Sequence, residues 1–162
     1  MMKGTPVGNL FIGGSSKGIN AIYLNPKSES ASLKEYSKKC ESKPEKNNLF
    51  FKDAVEQLDG YFKGKLKTFK LKLDLTGTTE FRKKVYGKLR KVKPGKTTSY
   101  GELAEKSGGK ALSRAVGSAM AGNPIPIVIP CHRVIKSDGG LGGFGGGLPM
   151  KEKLLKIEGI EF

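Results

Sequence analysis

The sequence predicts an α+β chain in two parts, a small sheet-plus-helix lobe over residues 1–75 and a mainly helical part over 76–162. Three observations carry this reading. Near the N-terminus two short apolar runs flank a Gly/Ser turn, and after Thr76-Gly77 apolar residues recur at helical spacing instead. The breaks in that second pattern coincide with cap and stop residues.

In the first part, VGNLFIGGSSKGINAIYL reads as two strands around the turn. Asn25 to Asn48 is polar and reads as a linker, with Cys40 among its lysines as an incidental surface thiol. Phe50, Ala54, Leu58 and Tyr61 share a helical face, and FKLKLDL from Phe69 alternates like a half-buried strand. The lobe has no histidine, no acidic cluster and no phosphate-cradling glycine loop, so it offers no catalytic chemistry.

In the second part, Phe81, Val85, Leu89 and Val92 mark a helix that Pro94-Gly95 ends. Ser99-x-x-Glu102 is a capping box, opening a short helix that runs into Gly108-Gly109. ALSRAVGSAM predicts a third helix with its stop at Gly122. Two short helices across a Gly-containing turn make a helix-turn-helix candidate. The third helix has unlike faces: Leu112, Val116, Ala119 and Met120 are apolar, whereas Arg114, Gly117, Ser118 and Ala121 leave the other side nearly bald. Small side chains let a backbone approach another surface closely, with Arg114 projecting; ordinary helix packing with a surface arginine is the competing reading.

Composition narrows the partner. The chain has 162 residues, enough for a core that needs no disulfide staple, and only two cysteines, too far apart to suggest a disulfide framework. No leader opens it and no stretch is long and apolar enough to span a bilayer, so a reducing cytoplasmic setting is expected. A formal charge of +15 points to a polyanion, with nucleic acid leading and a solvated Lys-rich surface as the alternative. All four arginines, Arg82, Arg90, Arg114 and Arg133, lie in the second part, where bidentate groups would suit a nucleic acid.

The stretch NPIPIVIPCHRV, residues 123–134, concentrates the chemistry. Pro124, Pro126 and Pro130 stiffen what reads as an extended, buried mount for Cys131. Burial raises a thiol's pKa, so a nucleophilic Cys131 needs a base. His132, the chain's only histidine, points the opposite way in extended backbone, so contact requires a turn or a water. Pro149 fits N1 of a last helix, PMKEKLLKIEG, which Gly159 ends. There Glu158 shares a face with Leu154 and Leu155 and so points inward toward a partner, giving Cys131, His132 and Glu158 the roles of nucleophile, base and orienter. Between them SDGGLGGFGGGLP holds seven glycines in the eleven residues from Gly139 to Pro149, and reads as a loop closing over a flat ligand with Phe144 to stack on it. No Lys-Ser or Lys-Thr follows, which disfavours a phosphate loop.

PIPIVIPCHRVIKSDGGLGGFGGGLPMKEKLLKIEG resembles the active-site region of the O6-alkylguanine-DNA alkyltransferases, and the likeness continues upstream through TTSYGELAEKSGGKALSRAVGSAMAGNP, covering residues 79 to 159. The first 75 residues are similar only in general form. The resemblance implies a ribonuclease H-like N-terminal lobe and a winged helix-turn-helix C-terminal domain. It implies a protein that turns O6-alkylguanine out of duplex DNA and moves the alkyl group irreversibly to Cys131, with O4-alkylthymine open as a further substrate.

The implied roles follow the motif. His132 takes the thiol proton through a water, Glu158 holds the imidazole, Asn123 ties loop to turn, and Tyr100 gives a proton to the departing guanine. Arg114 fills the space the base leaves. Met120 and Phe144 wall the pocket, backbone groups of Cys131, Val134 and Gly145 read the base, and Arg133, Ser118 and Ala121 join Arg114 on the DNA side. The resemblance also implies minor-groove binding, a monomer and no cofactor. Zinc, found in the lobe of some relatives, is not expected with a single, committed histidine. Phe144 and Gly145 stand where many relatives have tyrosine and serine, which removes two hydroxyls. The rival readings are a non-catalytic damage sensor, a DNA-binding regulator with a sensor thiol, and a thiol hydrolase that turns over.

Overall fold

A computed structural model describes residues 1–40 and 43–162, which divide into two compact units, Met1–Asp74 and Leu75–Phe162. Glu41 and Ser42, within the predicted linker, lie outside the described residues. Sheet and helices are both present, so the chain is α+β.

The first unit is built on an antiparallel sheet of β1 (Met2–Thr5), β2 (Gly8–Ser15) and β3 (Gly18–Leu24), in that order. β2 and β3 are the two predicted strands, paired Phe11 to Tyr23 and Ile12 to Ile22, with a register shift at Gly13/Gly14. β1 was not legible, because four residues offer no alternation to read. Gly13 has a steric reason: a Cβ there would lie 2.5 Å from the Tyr36 ring.

That tyrosine belongs to a helix the sequence reading missed. The predicted linker contains α1 (Glu29–Ser37), capped by Ser28, whose side chain accepts from the Ala31 amide. Only Ser32 and Tyr36 of α1 are buried, so the apolar periodicity that marks a helix is nearly absent. Tyr36 Oη lies 2.8 Å from Asn20 Oδ1 and 2.9 Å from the Gly14 carbonyl, pinning α1 to the sheet. Cys40 is corrected as well. It is half-buried against the Phe11, Ala21 and Tyr36 cluster, and its thiol donates to the Tyr36 carbonyl at 3.3 Å.

α2 (Lys52–Phe62) buries Ala54, Leu58 and Tyr61, while Phe50 precedes the helix and is exposed. FKLKLDL forms no strand. Its alternation holds, with Leu71 buried between exposed Lys70 and Lys72, but its pairing with β3 is one isolated bridge, Ile19 to Leu73. There the Ile19 amide donates to the Lys72 carbonyl and the Asp74 amide to the Ile19 carbonyl, one bridge with no ladder after it.

The second unit packs α3 (Glu80–Leu89), α4 (Tyr100–Ser107), α5 (Ser113–Ala121) and α6 (Leu148–Ile157) around a core that includes Val85, Leu89, Leu103, Val116 and Leu154. The capping box of α4 is complete: Ser99 accepts from the Glu102 amide and Glu102 from the Ser99 amide. A single 3-10 turn over Lys110–Leu112 separates α4 from α5. Thr98–Ser99 (β4) pairs in parallel with Val134–Ile135 (β5), tying the start of α4 to the segment after Cys131. α6 begins at Leu148, one residue before the predicted Pro149, and ends with Gly159 at φ +82°.

Candidate active site

The mount of Cys131 is not extended. Ile129 donates its amide to the Ile125 carbonyl at 2.9 Å, closing a turn in which Ile127 has φ +75°. A β-branched residue there is strained by about 1–3 kcal/mol. Ile125, Ile127 and Ile129 are fully buried, and that packing holds the turn in place. Cys131–Arg133 then forms one turn of 3-10 helix. The prolines limit the backbone, but tertiary burial of the isoleucines selects a turn over an extended strand.

Asn123 staples this turn. Its Oδ1 accepts from the Ile125 amide at 3.0 Å, and its Nδ2 lies 2.9 Å from the Ile129 carbonyl and 3.1 Å from Cys131 Sγ. Burial pushes the Cys131 thiol up, and the Asn123 bond opposes that by stabilising the thiolate. At rest the thiol is protonated, so nucleophilic chemistry needs a nearby base.

His132 and Glu158 meet as predicted, with Nε2 2.9 Å from Oε1, both side chains buried. Arg133 also reaches this carboxylate, through Nε to Oε2 at 2.9 Å and Nη2 to Oε1 at 2.8 Å, and its Nη1 donates to the Val92 carbonyl at 2.5 Å. Arg133 is 5% exposed, which corrects its assignment to the DNA side. A guanidinium so placed serves as the counter-charge of a buried carboxylate. Burial alone would raise the Glu158 carboxyl, but the bonds from His132 and Arg133 outweigh it and hold the group at about 2. Burial lowers His132 more than Glu158 raises it, so the imidazole is neutral. An ionised carboxylate only accepts, which assigns the imidazole proton to Nε2 and leaves Nδ1 as the basic nitrogen.

Lys151 is the residue that sequence reasoning missed. It is fully buried, and its Nζ donates to the carbonyls of Val134 at 2.6 Å, Leu141, and Gly143 at 3.4 Å. It therefore links β5 to the Gly-rich loop. Burial lowers it to about 8, against which Cys131 pulls it up. A signal was present: Lys151, Leu154, Leu155 and Glu158 fall at i, i+3, i+4 and i+7, so the logic that turned Glu158 inward applied equally to Lys151.

The other candidates divide between the interior and the surface. Tyr100 opens α4 and is half-buried, and a Cβ on Gly142, itself at φ +69°, would lie 3.0 Å from its ring. Burial, then the charge of Cys131, raises the Tyr100 hydroxyl, and the Gly143 backbone opposes them. The half-buried Phe144 ring stands edge-on to His132, centroids 6.5 Å apart. Met120 and Val134 are buried, the Val134 carbonyl already accepting from Lys151, and Gly145 is exposed with open space beside it. On α5, Arg114, Ser118 and Ala121 are exposed, and a Cβ on Gly117 would meet nothing within 4 Å. Arg82 of α3, not among the predicted site residues, flanks that face, with Nη2 3.3 Å from Ser118 Oγ.

Among the described residues no group of three His, Cys, Asp or Glu could hold a metal ion, and no helix is long and apolar enough to cross a membrane. The chemistry available is a buried thiol, a neutral imidazole held by an ionised carboxylate, and a phenol at the mouth of a glycine-rich loop.

Two family models match the chain: the 6-O-methylguanine DNA methyltransferase DNA binding domain over residues 80–160, and the ribonuclease-like domain of the same family over residues 4–75. The lobe thus matches beyond the general likeness its sequence offered. A methylated-DNA–protein-cysteine methyltransferase of Methanosarcina acetivorans is 41% identical over 157 residues, 96% of this chain and 94% of its own. One from Mycolicibacterium paratuberculosis is 50% identical over 112 residues, 69% of this chain and 67% of its own. Among solved structures, Mycobacterium tuberculosis OGT in complex with DNA superposes with a TM-score of 0.76 at 35% identity, covering 96% of this chain and 89% of that one. The O6-methylguanine-DNA methyltransferase of Pyrococcus kodakaraensis gives 0.63 at 31%, covering 94% and 98%.

Proposed function

The chain belongs to the 6-O-methylguanine DNA methyltransferase family, and from that premise we propose that Cys131 is the alkyl acceptor in a single-turnover repair of O6-alkylguanine in duplex DNA. Its activity is transfer of an alkyl group from damaged DNA to a protein cysteine. The observation that carries the assignment is the set of half-buried Asn123 with the buried side chains of Cys131, His132 and Glu158, in which a protonated thiol and a basic imidazole nitrogen belong to one 3-10 turn.

The steps balance with these groups. His132 Nδ1 takes the Cys131 proton through a water, while Asn123 donates to the developing thiolate. Sulfur attacks the sp³ alkyl carbon, the S–C bond forms as the C–O6 bond breaks, and the electron pair leaves on the guanine. Tyr100 supplies a proton to that base, and the proton held on His132 returns through water to the tyrosine, so the only net change is the thiol proton exchanged for the alkyl group. Because the product is a thioether and not an acyl thioester, no water hydrolyses it, and the protein is consumed.

Residues 1–75 are read as a ribonuclease H-like lobe and 76–162 as a winged helix-turn-helix domain with α4 and α5 as its helix pair. The exposed small residues of α5 suit the minor groove, where Arg114 takes the place of the extruded base. Met120 and Phe144 wall the pocket, Lys151 holds its loop, and the protein acts as a monomer. A damage sensor is disfavoured because it has no use for a thiol bonded by Asn123 beside a base.

The test is intact-mass and peptide mass spectrometry after incubation with duplex DNA containing O6-methylguanine. One added methyl, on Cys131 and not on Cys40, with reaction ending at one equivalent, is expected. Multiple turnovers, or methyl on another residue, would overturn the assignment.

A further inference from the structure

The segment from Gly60 to Leu73 has no part in the chemistry above, yet it is the most one-sidedly charged stretch of the first unit. Its fourteen residues hold five lysines, Lys63, Lys65, Lys67, Lys70 and Lys72, and no acid. All five are exposed. Lys63 is neutralised by Asp59 at 2.6 Å, and no carboxylate lies within ion-pair distance of the other four among the described residues. The same unit pairs lysines elsewhere, Lys52 with Glu56 and Lys39 with Glu35 one turn away, and Lys46 with Glu29. Four like charges within eight residues repel one another, a cost that an external anion would remove.

The strip is mounted, not loose. The Lys65 and Leu66 amides both donate to the Gly60 carbonyl, the Lys70 amide donates to Gln57 Oε1 at 2.8 Å, and the Ile19 bridge anchors the far end. Leu71 is buried and Phe69 and Leu73 are half-buried, so Lys70 and Lys72 stand on the opposite, outer side of the same backbone. In extended chain such i, i+2 side chains are about 6.6 Å apart. A membrane is the poorer fit, because the apolar residues that would insert are turned inward.

We propose that Lys65, Lys67, Lys70 and Lys72 form a phosphate-binding strip for duplex DNA, giving the first unit a sequence-independent contact of its own besides the recognition helix. This rests on the DNA-repair reading only in its choice of duplex as the polyanion. The strip adds affinity for undamaged DNA during search and has no role in alkyl transfer itself.

The experiment compares the full chain with a variant carrying Lys→Gln at all four positions, measuring binding to an undamaged duplex across a salt series. Each phosphate contact contributes about 0.9 to the slope of log affinity on log salt, so the slope should fall by about 3.6. Transfer from free O6-benzylguanine to Cys131 should be unchanged, which shows that the variant is folded. A Lys→Arg variant at the same positions should keep the slope. Should the quadruple variant not fold, the Lys65/Lys67 and Lys70/Lys72 pairs are replaced separately, each expected to remove about half. An unchanged slope, or weakened binding to heparin with duplex binding intact, overturns the proposal. If the unaltered chain fails to alkylate Cys131, the function reading fails instead, independently of the slope.

Discussion

His132 Nε2 lies 2.9 Å from Glu158 Oε1, and the same oxygen also accepts from Arg133 at 2.8 Å. The carboxylate therefore answers to two donors at once. Arg133 supplies the permanent counter-charge, which lets His132 stay neutral while Glu158 stays ionised. A neutral imidazole whose Nε2 proton is engaged presents Nδ1 as a ready base, the state that deprotonation of a buried thiol requires.

Glu158→Gln should slow alkyl transfer because the imidazolium formed in the reaction loses its anionic partner. It should also destabilise the fold by about 3 kcal/mol, since Arg133 is left buried without a counter-charge. The two effects separate when transfer is timed well below the variant's melting temperature and normalised to folded protein. An unchanged rate there removes Glu158 from the relay. The acid response should change too: a carboxyl held at about 2 against an ordinary 4.5 contributes stability that is present above pH 4.5 and lost as pH falls toward 2. The Gln variant should lack that part of the acid transition in denaturation curves.

Asn123→Ala removes the side-chain donor to Cys131 Sγ and the staple across the strained turn. The thiol should titrate higher, so the alkaline midpoint of the transfer profile should move to higher pH. Leaving the Ile125 amide unpaired costs about 1–3 kcal/mol, whereas the Ile129 carbonyl keeps its bond from the Cys131 amide. A uniform loss at all pH values would reduce Asn123 to a structural staple.

Arg114→Ala should slow repair of a duplex far more than transfer from free O6-benzylguanine. Extrusion from a duplex costs a few kcal/mol of unstacking and unpairing that the free base does not face. Parallel rate measurements on both substrates decide this, and equal losses would assign Arg114 to the fold or the chemistry.

Lys151 predicts an alkaline signature. The folded protein releases its proton near 8 and the unfolded chain near 10.5, so between these values the unfolded state binds the additional proton and stability rises with pH. Lys151→Met should abolish that rise when urea denaturation is compared at pH 7.5 and 9.5. It should also slow transfer, because the loop carbonyls of Leu141 and Gly143 lose their common donor. Retention of the rise would show that another group titrates there.

Much of the site was legible because its chemistry is local in sequence. Cys131 and His132 are adjacent, the capping box of α4 is a four-residue pattern, and Glu158 declared itself by sharing a helical face with two leucines. Arg133 was misread because its neighbours Cys131 and His132 say nothing of which way a guanidinium turns. A basic chain made DNA the default partner, and only the carboxylate 25 residues away shows that it is buried. Helix α1 and strand β1 were missed because each buries too little to leave an apolar period.

By itself, then, the sequence determined which chemical groups the protein owns, where its longer helices begin and end, and which family it resembles, since propensity, caps and periodicity are properties of neighbouring residues. Tertiary structure alone decided how those groups are charged and aimed. The turn at Ile127 exists because three isoleucines are buried together, against the conformational preference of the residue in the middle. The neutral imidazole, the ionised Glu158 and the low pKa of Lys151 come from desolvation and from partners brought in across the fold. Those are energies of position in three dimensions, which no window of sequence contains.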